Sequence, residues 1–386
     1  MTKVQSSIRD FVPAKPETDR KDRKNVDPVG VFRRISARPW RLGDFKKQNW
    51  GNWLHRMSPY VGKMKPAMAH CLIDSSSRVC DVVLDPFCGV GTVPLEADLM
   101  GRLGIGIDLN PYAATISMAK FDRHTIEENI NWLKTVKLNI DEVDPRELPA
   151  IMKLYLHERT LKEVYALKKK MLEEHKTFLL GCLIGILHGH RPGLLSVRTS
   201  LVVPFKPVDK PPYKEVIPRL IEKVERMYRN DFPLETSSFA LLGDSRYIPL
   251  PSESVDAIVS SPPYYNTLDY VQDNRLRLEF LEHGIESRNR INETLIQEPK
   301  TYIQDMQRVG TELIRVLRSG AMCVYVLGDC FKGKNHIKTG EKVADLYQKL
   351  GFLNYGIVED ALPSNPSFPT SFKRTKLDRI IVMQKP

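Results

Sequence analysis

The chain has 386 residues, of which 42% are hydrophobic and 27% are charged, enough for one large enzyme-sized domain with appendages or for two domains. This composition excludes a chain that is disordered throughout. The longest apolar run, residues 178–187, is about half of the ~18 residues that a membrane span needs, and it predicts a buried helix. Residues 1–24 carry charges where a signal peptide would be apolar, so we expect an intracellular protein, cytoplasmic or nucleoid-associated.

The chain is basic, with 58 lysine and arginine residues against 47 aspartate and glutamate residues and a net charge of +11. Residues 1–60 contribute +8 of this surplus, from fourteen basic and six acidic side chains. A surplus of this size favours a polyanionic partner such as nucleic acid. The six cysteines lack the paired C-x-x-C spacing of a zinc site, so the sequence predicts no metal.

Residues 1–30 are rich in proline and show no apolar periodicity, which predicts a disordered basic tail. Within this tail, Gln5, Ile8 and Phe11 have the spacing of the short peptide that binds ring-shaped sliding clamps. The match is incomplete because Val12 stands where a second aromatic residue is usual. We therefore consider a sliding-clamp contact through these three side chains.

Residues 31–60 interleave arginine and lysine with three of the four tryptophans of the chain. Guanidinium groups for phosphates beside flat rings for bases are typical of surfaces that bind nucleic acid. Tryptophans also pack a segment onto a neighbouring domain, and the sequence favours neither interpretation over the other.

The main domain begins near residue 78 with alternating strands and helices. Residues 79–87 form a predicted strand that ends in a glycine-rich turn, and a helix over 93–100 and a strand over 102–109 follow. This order predicts an α/β fold with a doubly wound, Rossmann-like sheet. A further helix is expected at about 301–317, and the sheet reaches about seven strands with those expected at 239–242, 255–260, 321–327, 353–358 and 379–383.

Residues 121–235 do not follow this alternation and are predicted to be a mostly helical insertion. Insertions of this size at the ligand-binding edge of an α/β sheet commonly carry substrate contacts. The block is therefore a candidate target-recognition region, and a structural cap is the alternative.

The glycine-rich turn carries the first candidate binding residues. Gly89 and Gly91 let the backbone approach a ligand closely, and Asp108 ends the next strand, 23 residues after Asp85. A carboxylate there accepts hydrogen bonds from the ribose hydroxyls of an adenosine-containing cofactor. Pro94 replaces the third glycine of the G-x-G-x-x-G pattern, which argues against NAD or FAD.

A second motif, Ser261-Pro262-Pro263-Tyr264, directly follows an apolar strand. Two prolines cannot continue the hydrogen-bonded ladder, so the chain leaves the sheet at the edge where α/β folds bind ligands. The stiff backbone then presents Tyr264 beside the Pro262 carbonyl and the Ser261 hydroxyl.

Together these segments resemble the DNA methyltransferases that methylate exocyclic amines with S-adenosylmethionine, specifically the cytosine-N4 group with its Ser-Pro-Pro-Tyr motif. The similar segments occur in one consistent order: YVGKMKPAMAHCLI at 60–73, DPFCGVGT at 85–92, IGIDLNP at 105–111, LLGDSR at 241–246, SPPYY at 261–265 with the following 268–281, and VLRSGAMCVYVLGD at 316–329. The insertion matches no segment of the family.

The resemblance implies S-adenosylmethionine as the cofactor and the N4 amine of cytosine in double-stranded DNA as the methyl acceptor. It divides the chain into a basic, aromatic segment with the cofactor-binding half (31–120), the insertion (121–235) and the catalytic half (236–386). The catalytic residues would be Ser261, Pro262, Pro263 and Tyr264. The cofactor would be held by Asp85, Phe87, Gly89, Gly91, Thr92, Asp108 and, at its adenine, Asp244.

This chemistry suits the residue types. The Ser261 hydroxyl and the Pro262 carbonyl can accept both N–H bonds of an amine, and Tyr264 can stack on a base that has left the duplex. Methylation of the cytosine ring carbon is not expected, because the enzymes that do it use the thiolate of a Pro-Cys pair and no cysteine here follows a proline. Three alternatives remain: adenine-N6 methylation, methylation of an RNA base amine, and a non-catalytic nucleic-acid binder.

Overall fold

The computed structural model describes residues 26–189, 193–196, 207–264, 270–281, 289, 291, 293–296, 300–332, 335–361 and 377–386. The predicted clamp motif, Gln5, Ile8 and Phe11, lies outside these residues. Within the described ranges, none of the helices has the length and apolar character needed to cross a membrane.

The described residues form a seven-stranded sheet with the order β3-β2-β1-β4-β5-β9-β8. Its strands are β1 Val82–Asp85, β2 Leu103–Asp108, β3 Phe239–Leu242, β4 Val255–Ser260, β5 Leu317–Gly328, β8 Leu353–Ala361 and β9 Leu377–Gln384, and a separate hairpin joins β6 Cys330–Lys332 to β7 Asn335–Ile337.

The α/β fold with about seven strands is confirmed, and β3 and β4 have the predicted bounds. The sheet is mixed, however, because β9 runs antiparallel to both of its neighbours, β5 and β8. The central strands are parallel, and β1 lies between β2 and β4. The strand order reverses at this point, and such a reversal opens a crevice at the carboxyl ends of the strands.

Helices cover both faces of the sheet or belong to the insertion. They are α1 Pro28–Ser36, α2 Pro66–Ser76, α3 Thr92–Leu99, α4 Pro111–Ala119, α5 Ile126–Thr135, α6 Ala150–Lys153, α7 Glu158–Glu173, α8 Thr177–Leu187, α9 Val216–Met227, α10 Arg275–Phe280, α11 Tyr302–Val316 and α12 Thr339–Lys349.

The tail predicted over residues 1–30 extends too far, because α1 already begins at Pro28. The Asp27 side chain accepts a hydrogen bond from the Val29 amide (3.1 Å), and proline at the first helical position favours a helix start. Val31 and Ile35 are buried and attach the helix to the main domain.

The tryptophans of residues 31–60 contact protein. The buried Trp40 donates its indole N–H to the Asp360 carboxylate (2.9 Å), and Trp50 meets the His70 ring edge-on at 5.1 Å. The guanidinium groups of Arg56 and Arg229 lie 4.4 and 4.7 Å from the centroid of the Trp53 ring. These contacts support the packing interpretation, while the exposed lysines and arginines of the segment stay available to a polyanion.

The described part of residues 121–235 is helical and contains α5 to α9. Its apolar side chains share one hydrophobic core with α4 and with Leu54 and Met57. Helix α8 is the predicted apolar helix and is buried along its whole length. Gly181 and Gly185 bring α8 against Ala119 and Met57, because a Cβ at either glycine would overlap those neighbours. The insertion is thus packed directly on the helices of the sheet.

This close approach gives a stability prediction for Gly185→Ala. The added Cβ would lie 2.0 Å from the Met57 carbonyl oxygen, so backbone has to move. Overpacking of this kind costs about 2 kcal/mol, more than the gain of about 1 kcal/mol in helix propensity. Urea unfolding should show a net loss of stability, whereas Gly193→Ala, where a Cβ meets nothing within 4 Å, should change it little. An unchanged midpoint for Gly185→Ala would contradict the close packing.

Candidate functional site

A cavity opens at the carboxyl ends of β1, β2 and β4, the edge of the sheet at which α/β folds bind ligands. Gly91, Pro262 and Tyr264, although predicted as site residues, are not part of its wall. The structure brings the other predicted residues together around it: Asp85, Phe87, Gly89, Thr92, Asp108, Asp244, Ser261 and Pro263.

Asp108, at the end of β2, is held in place by the backbone on either side of the cavity. One carboxylate oxygen accepts a hydrogen bond from the Gly89 amide (2.8 Å), and the other accepts one from the Asn110 amide (2.8 Å). Burial raises the pKa of this carboxyl to about 6. Since a carboxylate has about four acceptor sites, both oxygens can still accept hydroxyl donors from a ligand.

The two glycines of the loop have different roles. Both have positive φ angles, 53° at Gly89 and 73° at Gly91. A Cβ at Gly89 would meet the Tyr60 ring at 3.4 Å across the cavity wall, whereas one at Gly91 would lie 2.2 Å from the Ser117 hydroxyl. Gly89 therefore permits close approach of a ligand, and Gly91 permits close packing on α4. The buried Lys120 side chain holds the loop by donating to the Gly91 carbonyl (3.3 Å).

Asp85 joins β1 to β4 at the reversal of strand order. Its Oδ1 accepts hydrogen bonds from the Ser260 hydroxyl (2.6 Å) and from the Phe87 amide (3.0 Å). Burial raises the pKa of the Asp85 carboxyl to about 7. The carboxyl group thus lines the cavity with one oxygen already fixed by the protein.

Asp244, predicted to contact adenine, lines the cavity as part of an ion-pair chain. Its carboxylate binds the Arg246 guanidinium (2.8 Å), which also binds Asp305 (2.9 Å). Hydrogen bonds to Asp244 and Asp305 outweigh burial and raise the pKa of Arg246. This pairing fixes the orientation of the Asp244 carboxylate and compensates its charge within the protein.

The Ser-Pro-Pro-Tyr motif is held by three different elements. Ser261 donates its hydroxyl proton to the Val326 carbonyl of β5 (3.1 Å), and the Pro263 carbonyl accepts from the Tyr302 hydroxyl (3.1 Å). Tyr264 donates its hydroxyl to Asp378 of β9 (3.0 Å). Burial raises the pKa of the Tyr264 hydroxyl well above its usual value of 10.

Several lining residues were not predicted individually. Tyr60 and Tyr270 stack with ring centroids 6.0 Å apart, and Lys63 donates to the His55 carbonyl (2.7 Å). Burial lowers the pKa of Lys63 to about 8. Tyr60 and Lys63 belong to the segment 60–73, one of those that resemble the family, but no spacing distinguished them from their neighbours.

S-adenosylmethionine fits the residues of this cavity. It combines a ribose diol, an aromatic base and a charged methionine end. Asp108 offers two acceptors for the diol, and Gly89 allows the ligand to approach the backbone. Leu109 and Ile296 add apolar wall for a ring system.

Comparison with known proteins gives a family match over residues 5–119, to the family described as DNA methylase, of the N6/N4 type. This segment includes the glycine-rich loop and Asp108.

Curated relatives match parts of the chain. The type II methyltransferase M.MjaII of Methanocaldococcus jannaschii is 28% identical over 31% of this chain and 24% of its own. The type II methyltransferase M.BsoBI of Geobacillus stearothermophilus is 25% identical over 61% of this chain and 53% of its own. The tRNA (guanine(10)-N2)-dimethyltransferase of Methanothermobacter thermautotrophicus is 42% identical over 18% of this chain and 22% of its own.

The chain therefore spans between about a fifth and half of the length of these relatives. The family match covers the loop and the strand end that form one side of the cavity. The two type II methyltransferases add similarity over 31% and 61% of this chain.

Proposed function

We propose that the chain transfers a methyl group from S-adenosylmethionine to the exocyclic N4 amine of cytosine in double-stranded DNA. The observation that carries this proposal is the hydrogen bond from the Ser261 hydroxyl to the Val326 carbonyl. A hydroxyl has one proton, and this bond commits it to the protein. The Ser261 oxygen, which also adjoins the Tyr264 hydroxyl, has two lone pairs and so keeps the capacity to accept a hydrogen bond from an amine at the cavity wall.

The chemistry follows from the electronic state of the amine. The lone pair of an exocyclic amine is delocalised into the base, so the amine is a poor nucleophile. Acceptance of its two N–H bonds by Ser261 and the Pro262 carbonyl favours a pyramidal nitrogen whose lone pair points away from the ring plane. Bound S-adenosylmethionine supplies an electrophilic methyl group. Alignment of the two reactants then provides most of the acceleration.

Each remaining site residue has a role in this proposal. Asp108 accepts the ribose hydroxyls, and Asp244 contacts the adenine. The methionine end of the cofactor lies toward the turn after β1. Asp85, Phe87, Gly89 and Thr92 line this turn, and Gly91 allows its backbone conformation. Pro263 stiffens the motif, and Tyr264 stacks on a base that has left the duplex, which offsets part of the lost stacking.

Features outside the cavity support a nucleic-acid substrate. The surplus of +8 within residues 1–60 favours binding to phosphates, and the insertion at 121–235 is our candidate for target recognition. Serine at the first motif position favours cytosine over adenine within the family. The sliding-clamp contact through Gln5, Ile8 and Phe11 stays a prediction.

A base amine in RNA is the second candidate substrate. The match to a tRNA (guanine(10)-N2)-dimethyltransferase, 42% identical over 73 residues, favours this candidate. The same acceptors could orient an RNA base amine, since Ser261 and Pro262 recognise the amino group and not the sugar.

Nucleoside analysis by mass spectrometry tests the proposal. The purified protein is incubated with S-adenosylmethionine and, separately, unmodified plasmid DNA and total RNA. We expect N4-methylcytosine in the DNA and none with Ser261→Ala at matched time. Detection of N6-methyladenine would show that the target base is adenine and not cytosine. Methylated bases found only in the RNA would show that the substrate is RNA and not DNA. No methylation of either would overturn the enzyme assignment.

A further inference from the structure

The hydroxyl of Tyr264 lies in a buried polar cluster that the motif alone does not predict. It donates to Oδ1 of Asp378, 114 positions away in the sequence, at 3.0 Å. The Tyr264 ring packs against the hydrophobic core beneath the motif, and Ser261 adjoins its hydroxyl. The ring is therefore fixed at its far end as well as at its backbone.

Asp378 reaches this position because β9 lies inside the sheet. The strand pairs with β5 through Gly328 and with β8 through Asp360, each directly opposite Asp378. Since β9 is antiparallel, its first residues lie at the same edge of the sheet as the carboxyl ends of β4 and β5. A residue near the start of β9 can thus contact the motif that follows β4.

The two facing carboxylates of this edge have different partners. Asp360 is 1% exposed and is bound by Trp40 (2.9 Å) and by Arg41 (2.8 and 3.0 Å). Asp378 is 7% exposed and accepts the Tyr264 hydroxyl. Because an unpaired buried acceptor is costly, the tyrosine and the carboxylate stabilise each other's position. Arg41 offsets part of the charge with which Asp360 repels Asp378.

We propose that Asp378 is a positioning residue that holds the Tyr264 ring in the orientation needed to stack on the target base. This inference rests on the proposed function. A phenol ring fixed before the base arrives loses less rotational freedom on stacking, and pre-organisation of this kind raises turnover without altering cofactor contacts. Asp378 acts through Tyr264 and does not itself touch substrate or cofactor.

Turnover measurements on the nucleic acid that the wild-type protein methylates test this role. Tyr264→Phe and Asp378→Leu should each lower kcat about tenfold, as expected for loss of a hydrogen bond to a charged group. Asp378→Asn keeps an oxygen acceptor and should stay within about threefold of wild type. The double variant Tyr264→Phe, Asp378→Leu should be no slower than the slower single variant, since both changes remove the same bond. S-adenosylmethionine affinity should be unchanged in all four variants.

Fluorine NMR with fluorotyrosine at position 264 gives a readout independent of activity. Its resonance should shift in Asp378→Leu and stay in place in Asp345→Asn, a control at an exposed carboxylate of α12. Normal turnover in folded Asp378→Leu, or multiplying losses in the double variant, would overturn the inference. If the wild-type protein is inactive but the resonance shifts in Asp378→Leu, the proposed function is wrong and the anchoring of Tyr264 by Asp378 is supported. An unshifted resonance would remove the anchoring itself.

Discussion

Replacing Asp108 with alanine is expected to weaken binding of S-adenosylmethionine about 100-fold, because two hydrogen bonds from the ribose hydroxyls to a carboxylate are lost. Calorimetric titration measures this change directly. Alanine also releases the Gly89 and Asn110 amides that Asp108 binds at 2.8 Å, so the loop can move. Asp108→Asn keeps one oxygen acceptor, so its affinity for S-adenosylmethionine should fall less, by about tenfold.

The pH dependence of S-adenosylmethionine binding distinguishes the effect of the Asp108 charge on affinity from the effect of its side-chain shape. Burial raises the pKa of Asp108 to about 6, so lowering the pH through 6 protonates the carboxylate and removes acceptor capacity. Wild-type affinity should therefore fall across this range, and Asp108→Asn should lack that step. Asp85, with a pKa of about 7, titrates in both proteins, and its step lies at lower pH in Asp108→Asn because the charge of Asp108 helps to raise the pKa of Asp85. Unchanged affinity in Asp108→Ala would show that the ribose lies elsewhere.

Ser261→Ala is expected to lower turnover about 100-fold while S-adenosylmethionine binds as before. The variant removes the oxygen that accepts an N–H bond of the target amine, and loss of one such polar group in an active site typically costs about two orders of magnitude in kcat. Single-turnover kinetics on unmethylated substrate, together with calorimetry of the cofactor, measures the two quantities separately.

Ser252→Ala provides a matched control, since Ser252 is exposed and precedes β4 while Ser261 follows it. Turnover of this control should equal that of the wild type. An equal loss of cofactor affinity and turnover in Ser261→Ala would instead make Ser261 part of the cofactor site. The free energy of unfolding checks the loss of the bond to Val326. It should fall by no more than the contribution of a typical hydrogen bond, about 1 kcal/mol.

The strands and the loop could be predicted because their signals are local. β3 and β4 are short apolar runs with polar or proline-containing ends, and their bounds were predicted correctly. The glycine-rich turn and Asp108 follow from the order of strand, loop, helix and strand. The direction of β9 was not predictable, since an antiparallel strand has the same apolar composition as a parallel one.

Contacts between distant segments account for what the sequence did not show. The pairing of Tyr264 with Asp378 depends on the position of β9 in the sheet, and the pairing of Arg246 with Asp305 depends on the placement of α11. Tyr60 lines the cavity only because the chain before α2 folds back over the glycine-rich loop. Neither the periodicity nor the spacing of residues in the sequence predicts contacts between such distant segments.

The shared core of the insertion limits how this protein can be altered. Helix α8 packs against Ala119 of α4 and against Met57, so the helical block has no separable interior of its own. A chimera that exchanged residues 121–235 as a cassette would cut through that packing and expose apolar surface on both pieces. On our proposal that this block recognises the target, new target preferences are easier to reach by substitutions on its outer face than by shuffling whole segments between relatives.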